Sequence, residues 1–258
     1  MGGSQLFLGL CSAALLLGCG ATGVRLLWLA RCTGELPERL MGGGLVSLMF
    51  LYLPMMVASG MGRESAGEVN MGLLCVGTFF LWAGFASMTA FTWVAFRPTS
   101  AWAQLATIVM SSASAAICGG MIGSLAASPP EANSYLVGHA WSSALRIPMM
   151  ATFAWTGVES LHQYRMARRR LALGLSDPVV ANRFLLWSVV GFSMTAVIGA
   201  SLALHLQGLG IMASPLALFV VLFGAGVGTG FMLLGFLPPA AYLRLVRRRA
   251  GANAATRI

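Results

Sequence analysis

Residues 70–96 read NMGLLCVGTFFLWAGFASMTAFTWVAF, a stretch without one charged side chain. A helix needs on the order of 20 apolar residues to cross about 30 Å of hydrocarbon, because each residue adds about 1.5 Å. This stretch is therefore long enough to cross a bilayer. It predicts a transmembrane helix, and most of the remaining chain has the same character.

Composition extends this prediction to the whole chain. Apolar residues make up 58% of 258 positions and charged residues only 9%, whereas roughly a quarter of the residues of a soluble domain are charged. The predicted fold is all-α, a polytopic membrane helix bundle in one transmembrane domain, residues 1–258. Apolar windows predict about seven membrane helices, at 5–29, 42–62, 70–96, 102–127, 138–162, 184–206 and 213–243.

The distribution of arginine predicts the orientation. All 16 basic residues are Arg, and 14 of them lie on one side if the N-terminus is outside and the helix count is odd; only Arg63 and Arg146 lie on the other. Cytoplasmic loops are rich in basic residues. We predict a multi-pass protein of the bacterial inner membrane with a cytoplasmic C-terminus, whose arginines contact anionic lipid headgroups. Charge segregated in this way does not indicate nucleic-acid binding.

Two short similarities suggest an internal repeat. Thr22-Gly-Val24 recurs as Thr156-Gly-Val158, and Phe96-Arg-Pro98 is matched by Phe236-Leu-Pro238. Helices 1–3 would then correspond to helices 5–7 in the same orientation, with helix 4 as the joiner. This 3+1+3 arrangement stays a hypothesis, because short matches arise by chance in apolar sequence.

A cluster near the start of helix 5 is the predicted ligand site. His139, Trp141 and Arg146 precede Pro148, which predicts a kink. An inward Arg146 could line an outward-facing pocket for an anionic or polar ligand. If helix 5 begins near residue 144, Arg146 would instead contact lipid phosphates. The pocket candidates are Arg146, His139, Trp141, Trp93 and His205.

Glu159 is the one acidic residue inside a predicted membrane helix. A carboxylate in hydrocarbon is costly and normally has a partner. One interpretation makes Glu159 a gate or relay paired with a cytoplasmic Arg, with His162 as a second candidate. The other places Glu159 at the interface, where it reaches headgroup water beside His162.

A basic connection follows helix 5. Residues 164–183 form a basic cytoplasmic loop in which helix 5 runs on to about Leu173 and stops at Gly174, and Ser176 or Asp177 caps the next helix. Residues 159–187 resemble a motif of uncharacterised bacterial seven-helix membrane proteins, some of sensor type. The predicted headgroup and coupling residues are Arg165, Arg168, Arg169, Arg170 and Arg183.

Several chemistries fit the sequence poorly. The topology resembles that of microbial rhodopsins, but the chain has no Lys for a retinal Schiff base. The histidines lack metal-binding spacing, although a haem between His139 and His205 is geometrically possible. We therefore predict no catalytic residues, no bound metal and no cofactor.

Glycine spacing predicts close helix packing. Small residues three or four apart let helix backbones approach each other in lipid. Such spacings occur in helices 4 and 7. The predicted packing residues are Gly119, Gly123, Gly224, Gly226, Gly228 and Gly230.

Three functions remain open from the sequence. The leading one is a receptor-like or sensory module that couples an outward-facing pocket to a cytoplasmic signalling partner or to a second copy of the chain. The second is a small-solute transporter, because the 3+1+3 arrangement resembles a sugar-transporting seven-helix family, although that family's proline–glutamine pair is absent. The third is a structural subunit of a larger membrane complex.

Overall fold

The computed structural model describes residues 3–60, 69–128, 134–209 and 215–246, and these ranges are helices joined by short turns. The second helix contains a π-helical turn, Ser47–Tyr52, directly before Pro54, whose ring and missing N–H interrupt the regular helix. The helices are α1 Gly3–Thr33, α2 Leu36–Ser59, α3 Met71–Phe96, α4 Ala101–Ala127, α5 Ser134–Ala172, α6 Pro178–Leu206 and α7 Pro215–Phe236.

Five helices within the described residues are long and apolar enough to cross a membrane. They are α2, α3, α4, α6 and, over Leu218–Phe236, α7. The two others are α1 and α5, and α5 carries Arg146, Glu159 and a run of arginines. The chain is therefore a multi-pass helical membrane protein.

The helices pack as a closed ring. Each helix contacts the next one along the chain, α7 returns to contact α1, and α3 also contacts α5 across the ring. Apolar side chains from all parts of the ring fill its centre, among them Met41, Leu48, Phe85, Val190 and Met232. The interior is consequently filled by side chains of the chain itself.

The turn between α5 and α6 agrees in detail with its local sequence. The backbone reverses at Gly174, whose φ is 71°, a conformation that favours glycine. The N–H of Leu175 donates to the carbonyl of Arg170 at 2.9 Å, which closes the end of α5. The side chain of Asp177 then accepts from the N–H of Val179 at 2.8 Å and caps α6, as predicted.

Several predicted ends differ from the structure: α1 continues to Thr33 rather than 29, α2 begins at Leu36 rather than 42, and α5 begins at Ser134 rather than 138. The span predicted at 213–243 is not one helix, because α7 ends at Phe236 and a new helical stretch begins at residue 240; Pro238 and Pro239 break it. Within 164–183, α5 continues to Ala172 and α6 begins at Pro178, as the stop at Gly174 and the cap at Ser176 or Asp177 predict. Residues 61–62 and 213–214 of the predicted spans lie outside the described residues.

Candidate functional site

A line of polar contacts joins α3 to α5 through the bundle. The hydroxyls of Thr89 and Thr152 lie 3.0 Å apart, and those of Thr92 and Thr156 lie 2.7 Å apart. Residue numbers rise together along both helices, so α3 and α5 run in the same direction. Each hydroxyl also lies within hydrogen-bond distance of the carbonyl four residues earlier. Because a hydroxyl has one proton, one threonine of each pair donates to its carbonyl and accepts a hydrogen bond from the other threonine. The contacts therefore hold α3 and α5 in a defined register.

The line ends in an ion pair between Arg97 and Glu159. Pro98 ends α3, so Arg97 lies just past the last helical residue. Its Nε donates to both carboxylate oxygens of Glu159, at 3.1 and 3.0 Å. The Glu159 side chain is 6% exposed and that of Arg97 is 39% exposed. The pair thus joins a buried carboxylate to a guanidinium that also reaches the surface.

The surroundings of Glu159 bear on its two interpretations. Glu159 is buried, and its carboxylate is paired with Arg97 rather than reaching the surface beside His162. His162, the second relay candidate, lies one turn further along α5 and is exposed. The structure brings Glu159 to Arg97, a residue that was not among the predicted site residues.

Three buried donors close to this pair in sequence have no hydrogen-bond partner. They are Nε1 of Trp93, one turn before Arg97, Nε1 of Trp155, one turn before Glu159, and the hydroxyl of Ser160. The Trp155 ring also contacts Trp102 at the start of α4, with ring centroids 5.6 Å apart. Buried polar groups without a partner are uncommon and mark regions where packing is not at its optimum. The α3–α5 contact therefore has more unpaired buried polar atoms near the Arg97–Glu159 pair than along the threonine contacts.

A second polar cluster lies at the other end of α5. The rings of His139 and His205 stack with centroids 3.6 Å apart, and Nε2 of His205 lies 3.0 Å from the hydroxyl of Ser142. Nε of Arg146 donates to the hydroxyl of Ser201 at 3.3 Å. The helix rise places Arg146 about 20 Å and His139 about 30 Å from Glu159 along α5. This polar cluster and the ion pair thus lie toward opposite ends of one helix.

The structure brings together three of the five predicted pocket residues. Arg146, His139 and His205 lie at the contact of α5 with α6. Trp141 points to α4 instead, where its Nε1 donates to the hydroxyl of Ser124 at 2.9 Å. Trp93 lies at the opposite end of the bundle, beside the ion pair.

The histidine geometry also bears on the haem alternative. Two axial ligands of one iron point their ring nitrogens at the metal from opposite sides. The rings of His139 and His205 instead lie face to face, with 12° between their planes. Among the described residues, no group of three or more His, Cys, Asp or Glu side chains could hold a metal ion.

The predicted coupling arginines are exposed. Arg165, Arg168, Arg169 and Arg170 lie on the last turns of α5, beyond Glu159, and Arg183 lies on the first turns of α6. The guanidinium carbon of Arg168 is 6.0 Å from the ring centroid of Tyr164, at the outer limit of a cation–π contact. These residues form one basic surface at the α5–α6 turn.

Only two of the predicted packing glycines lie in close contacts. A Cβ on Gly224 would lie 2.5 Å from Val197, and one on Gly228 would lie 2.4 Å from Met194, both on α6. Positions Gly226, Gly230, Gly119 and Gly123 have no atom within 4 Å of an added Cβ. Close backbone-to-backbone approaches that the sequence did not single out involve pairs of glycines, Gly23 with Gly42, Gly44 with Gly84, and Gly157 with Gly191.

The sequence carries a signal for these four threonines, which form one spaced pair in each helix: Thr89 and Thr92 in α3, and Thr152 and Thr156 in α5. Both recur at helical spacing inside apolar segments, and polar residues in hydrocarbon tend to face other helices. Each pair therefore marks the face of its helix that packs inside the bundle. Which helix it meets does not follow from spacing within one helix.

These features define a class, the multi-pass helical membrane proteins, here with a partly buried ion pair that joins the end of α3 to α5. Comparison with protein-family models, with curated proteins and with solved structures found no match. The function therefore rests on the geometry of the chain itself.

Proposed function

We propose that this protein is a receptor-like sensory module of a bacterial inner membrane. It has seven spans, an external N-terminus and a cytoplasmic C-terminus, and it couples an outward-facing ligand site to a cytoplasmic partner. The observation that carries this proposal is the continuity of α5, which extends over 39 residues. At 1.5 Å per residue it is about 58 Å long, well beyond the roughly 30 Å of hydrocarbon.

Helix α5 has polar groups at three levels. The Arg146–His139–His205 cluster lies near its start, the Glu159–Arg97 pair lies further along, and the arginines from Arg165 to Arg170 lie at its end. A continuous helix transmits a displacement from one end to the other if it has two arrangements to choose between, and α5 stays helical through Pro148. The threonine contacts and the ion pair to α3 are the interactions that a shift of α5 would have to rearrange.

The polar cluster between α5 and α6 suits an anionic or strongly polar ligand. Arg146 is a permanent cation, and His139 and His205 become cations when protonated. An anion that binds between α5 and α6 would interact with all three side chains. Such binding would displace the start of α5 relative to α6, and helix shifts of this kind are typically about 1–2 Å.

Two measurements test the coupling. Native mass spectrometry of the protein, purified gently from its host membrane, identifies any retained small molecule. Spin labels on the exposed residues Leu105 of α4 and Leu173, directly after the end of α5, with the native cysteines replaced by alanine, then report the distance between α4 and the end of α5. We expect the identified ligand to change this distance by about 1–2 Å or more in the wild type. In Glu159→Gln the ligand should still bind, but the change should be absent.

Other outcomes contradict the proposal. A ligand that binds without altering the label distance means that binding is not coupled to the basic end of α5. Other subunits at fixed stoichiometry, with no ligand present, favour the structural-subunit alternative. Glu159→Gln with wild-type coupling and wild-type thermal stability would return Glu159 to an interfacial role.

The orientation has its own test. Replacing Arg168, Arg169 and Arg170 together with Glu should disturb insertion or lower abundance, because acidic residues remove the basic bias that retains this turn in the cytoplasm. A reporter fused after residue 258 and labelling of single cysteines in the turn measure the topology. The matched control replaces the same three residues with Lys, which keeps the charge and should insert normally. Normal topology and abundance of the Glu variant would contradict the predicted orientation.

One observation favours the transporter as a second candidate. Gly23 and Gly157, which share the repeated Thr-Gly-Val motif, each lie against a glycine of the following helix, Gly42 and Gly191. Helices α3 and α7 also end at the two matched residues, Phe96 and Phe236. These correspondences support the 3+1+3 repeat, an arrangement known in transporters. Uptake into sealed liposomes of the molecule found by mass spectrometry would favour this candidate over the sensor.

A further inference from the structure

The turn between α5 and α6 is the tip of a helical hairpin that extends past the end of α3. Helix α3 ends at Phe96, and the ion pair of the next residue, Arg97, places this end at the level of Glu159 on α5. Helix α5 continues to Ala172, which is about 20 Å further at 1.5 Å per residue. The protruding parts of both helices are packed, since Ala167 of α5 and Ala181 of α6 are buried.

Two leucines flank the turn glycine, and the turn itself does not account for them. Leu173 and Leu175 are each 73% exposed. In a helix end of this kind, the residue after the glycine often packs on an apolar side chain of the last turn. The side chains at the corresponding positions here are Arg169 and Arg170. Both leucines therefore leave most of their apolar surface uncovered.

The arginines around this tip have no acidic partner in the part of the chain that the structure describes. The one salt bridge within that part joins Arg97 to Glu159, and Asp177, close to the tip in sequence, caps α6. Like charges one turn apart on a helix repel each other, and acidic groups from another molecule would remove this repulsion. The tip thus combines uncovered apolar surface with uncompensated positive charge. The exposed arginines are Arg165, Arg168, Arg169, Arg170 and Arg183.

The tip lies beyond the lipid headgroups in the proposed orientation. Helix α3 has 26 residues, so it is about 39 Å long and its end extends roughly 4–5 Å past the hydrocarbon. The headgroup layer is only about 5–7 Å thick. Ala172 lies about 20 Å beyond the end of α3, or about 15 Å at a helix tilt of 40°. Leu173 and Leu175 therefore face water rather than lipid.

Charge argues against two other occupants of this surface. Residues 247–258 of the same chain carry four arginines and no acidic side chain. A second copy that met the tip with its own tip would bring the same arginines to the contact. Like charges that face each other across an interface oppose association. A surface that covers the leucines must therefore be acidic around an apolar centre, and an apolar core with a polar rim is the usual form of an interface.

We propose that the α5–α6 tip docks into a cytoplasmic protein, with Leu173 and Leu175 in an apolar pocket and the surrounding arginines paired with Asp and Glu side chains at the rim of that pocket. This inference rests on the proposed function, which places the tip in the cytoplasm and requires a partner there. It adds the position at which the partner binds and the chemistry of the partner's surface. A shift of α5 would then move the docked protein directly.

Photocrosslinking in the native host identifies the partner. Benzoylphenylalanine is incorporated into the full-length protein at position Leu173 or Leu175. The matched control position is Leu105, which is 61% exposed near the start of α4 and hence close to the end of α3. We expect one cytoplasmic protein to crosslink at 173 and 175 but not at 105. That protein, identified by mass spectrometry and purified, is then titrated against the wild type in phosphatidylcholine nanodiscs.

Two double variants test the leucines in this titration. Leu173→Ser with Leu175→Ser should weaken binding about tenfold or more, because the apolar surface that the pocket buries is lost. Leu173→Met with Leu175→Met keeps apolar side chains of similar volume and should bind nearly as tightly as the wild type. Both changes lie in an exposed turn, so the unfolding temperatures should match. Raising the salt concentration from about 0.1 M to about 1 M should also weaken binding, because it screens the charges at the rim.

Several results would overturn the proposal. One is the absence of a crosslinked protein at both positions, or crosslinks to lipid alone, which would place the tip on the membrane. Another is equal binding by the Ser and Met variants, and a third is binding that salt does not change. None of these measurements needs a ligand, so with the turn shown to be cytoplasmic they overturn the docking alone. A turn found on the outer side would overturn the proposed function as well.

Discussion

Replacing Gly191 with alanine should be among the most damaging single changes in this protein. A Cβ at this position would lie 2.6 Å from the Cα and 2.7 Å from the N of Gly157, and 2.8 Å from the carbonyl oxygen of Phe153. All three atoms belong to the backbone of α5, so no side chain can rotate away and the two helices must separate. We expect a loss of roughly 3 kcal/mol or more, the upper range for overpacking, seen as a lower unfolding temperature in detergent and a smaller folded fraction.

A matched glycine provides the control. Gly226 lies in the middle of α7, and an added Cβ there meets no atom within 4 Å. Gly226→Ala should leave stability unchanged, or raise it slightly because alanine favours helix. Equal unfolding temperatures for the two variants would mean that α5 and α6 do not approach each other as closely as described.

Replacing Arg97 and replacing Glu159 should have unequal effects on the stability of the protein. Arg97→Leu leaves a carboxylate with a 6% exposed side chain and no partner, and removing one member of a buried pair costs roughly 3–5 kcal/mol. Glu159→Leu leaves an arginine that is 39% exposed, whose long side chain can turn to headgroup water. We expect that variant to lose about 1 kcal/mol or less, as is usual for exposed pairs.

The double variant completes this test. Arg97→Leu combined with Glu159→Leu removes both charges, and replacing a whole buried ion pair with apolar residues is often neutral. Its unfolding temperature should therefore lie close to that of Glu159→Leu and well above that of Arg97→Leu. If Arg97→Leu is no less stable than Glu159→Leu, the carboxylate has another partner or reaches water.

Local features of the chain were predictable because they depend on neighbouring residues. The end of α5 at the Gly174 turn and the Asp177 cap of α6 follow from the preferences of single residues for special backbone conformations. Pro238 and Pro239 also indicate the break after Phe236, although the apolar residues that follow extend the predicted span to residue 243. The membrane class itself follows from composition, since hydrocarbon tolerates few charges.

Partners across helices were predictable only in part. The sequence marked Glu159 as unusual for a membrane helix, but the choice of Arg97 as its partner depends on α3 and α5 lying side by side with parallel directions. Likewise, Arg146, His139 and His205 lie at one helix contact, whereas Trp141 faces α4 and Trp93 lies at the other end of the bundle. The position of Trp93 near the end of α3 was readable from the sequence, whereas the rotation of a helix about its axis, which decides that Trp141 faces α4, was not.

The sequence by itself determined that this protein lies in a lipid bilayer, the approximate length of its helices, and the residues that form the turn between α5 and α6. Tertiary structure alone decided which face of each helix is buried, and hence why Gly224 and Gly228 pack tightly while Gly226 and Gly230 do not. The physical reason is that the helices are apolar on all sides. In a soluble protein an apolar stripe reveals the inward face, but in lipid both faces are apolar and only the fit between backbones chooses between them.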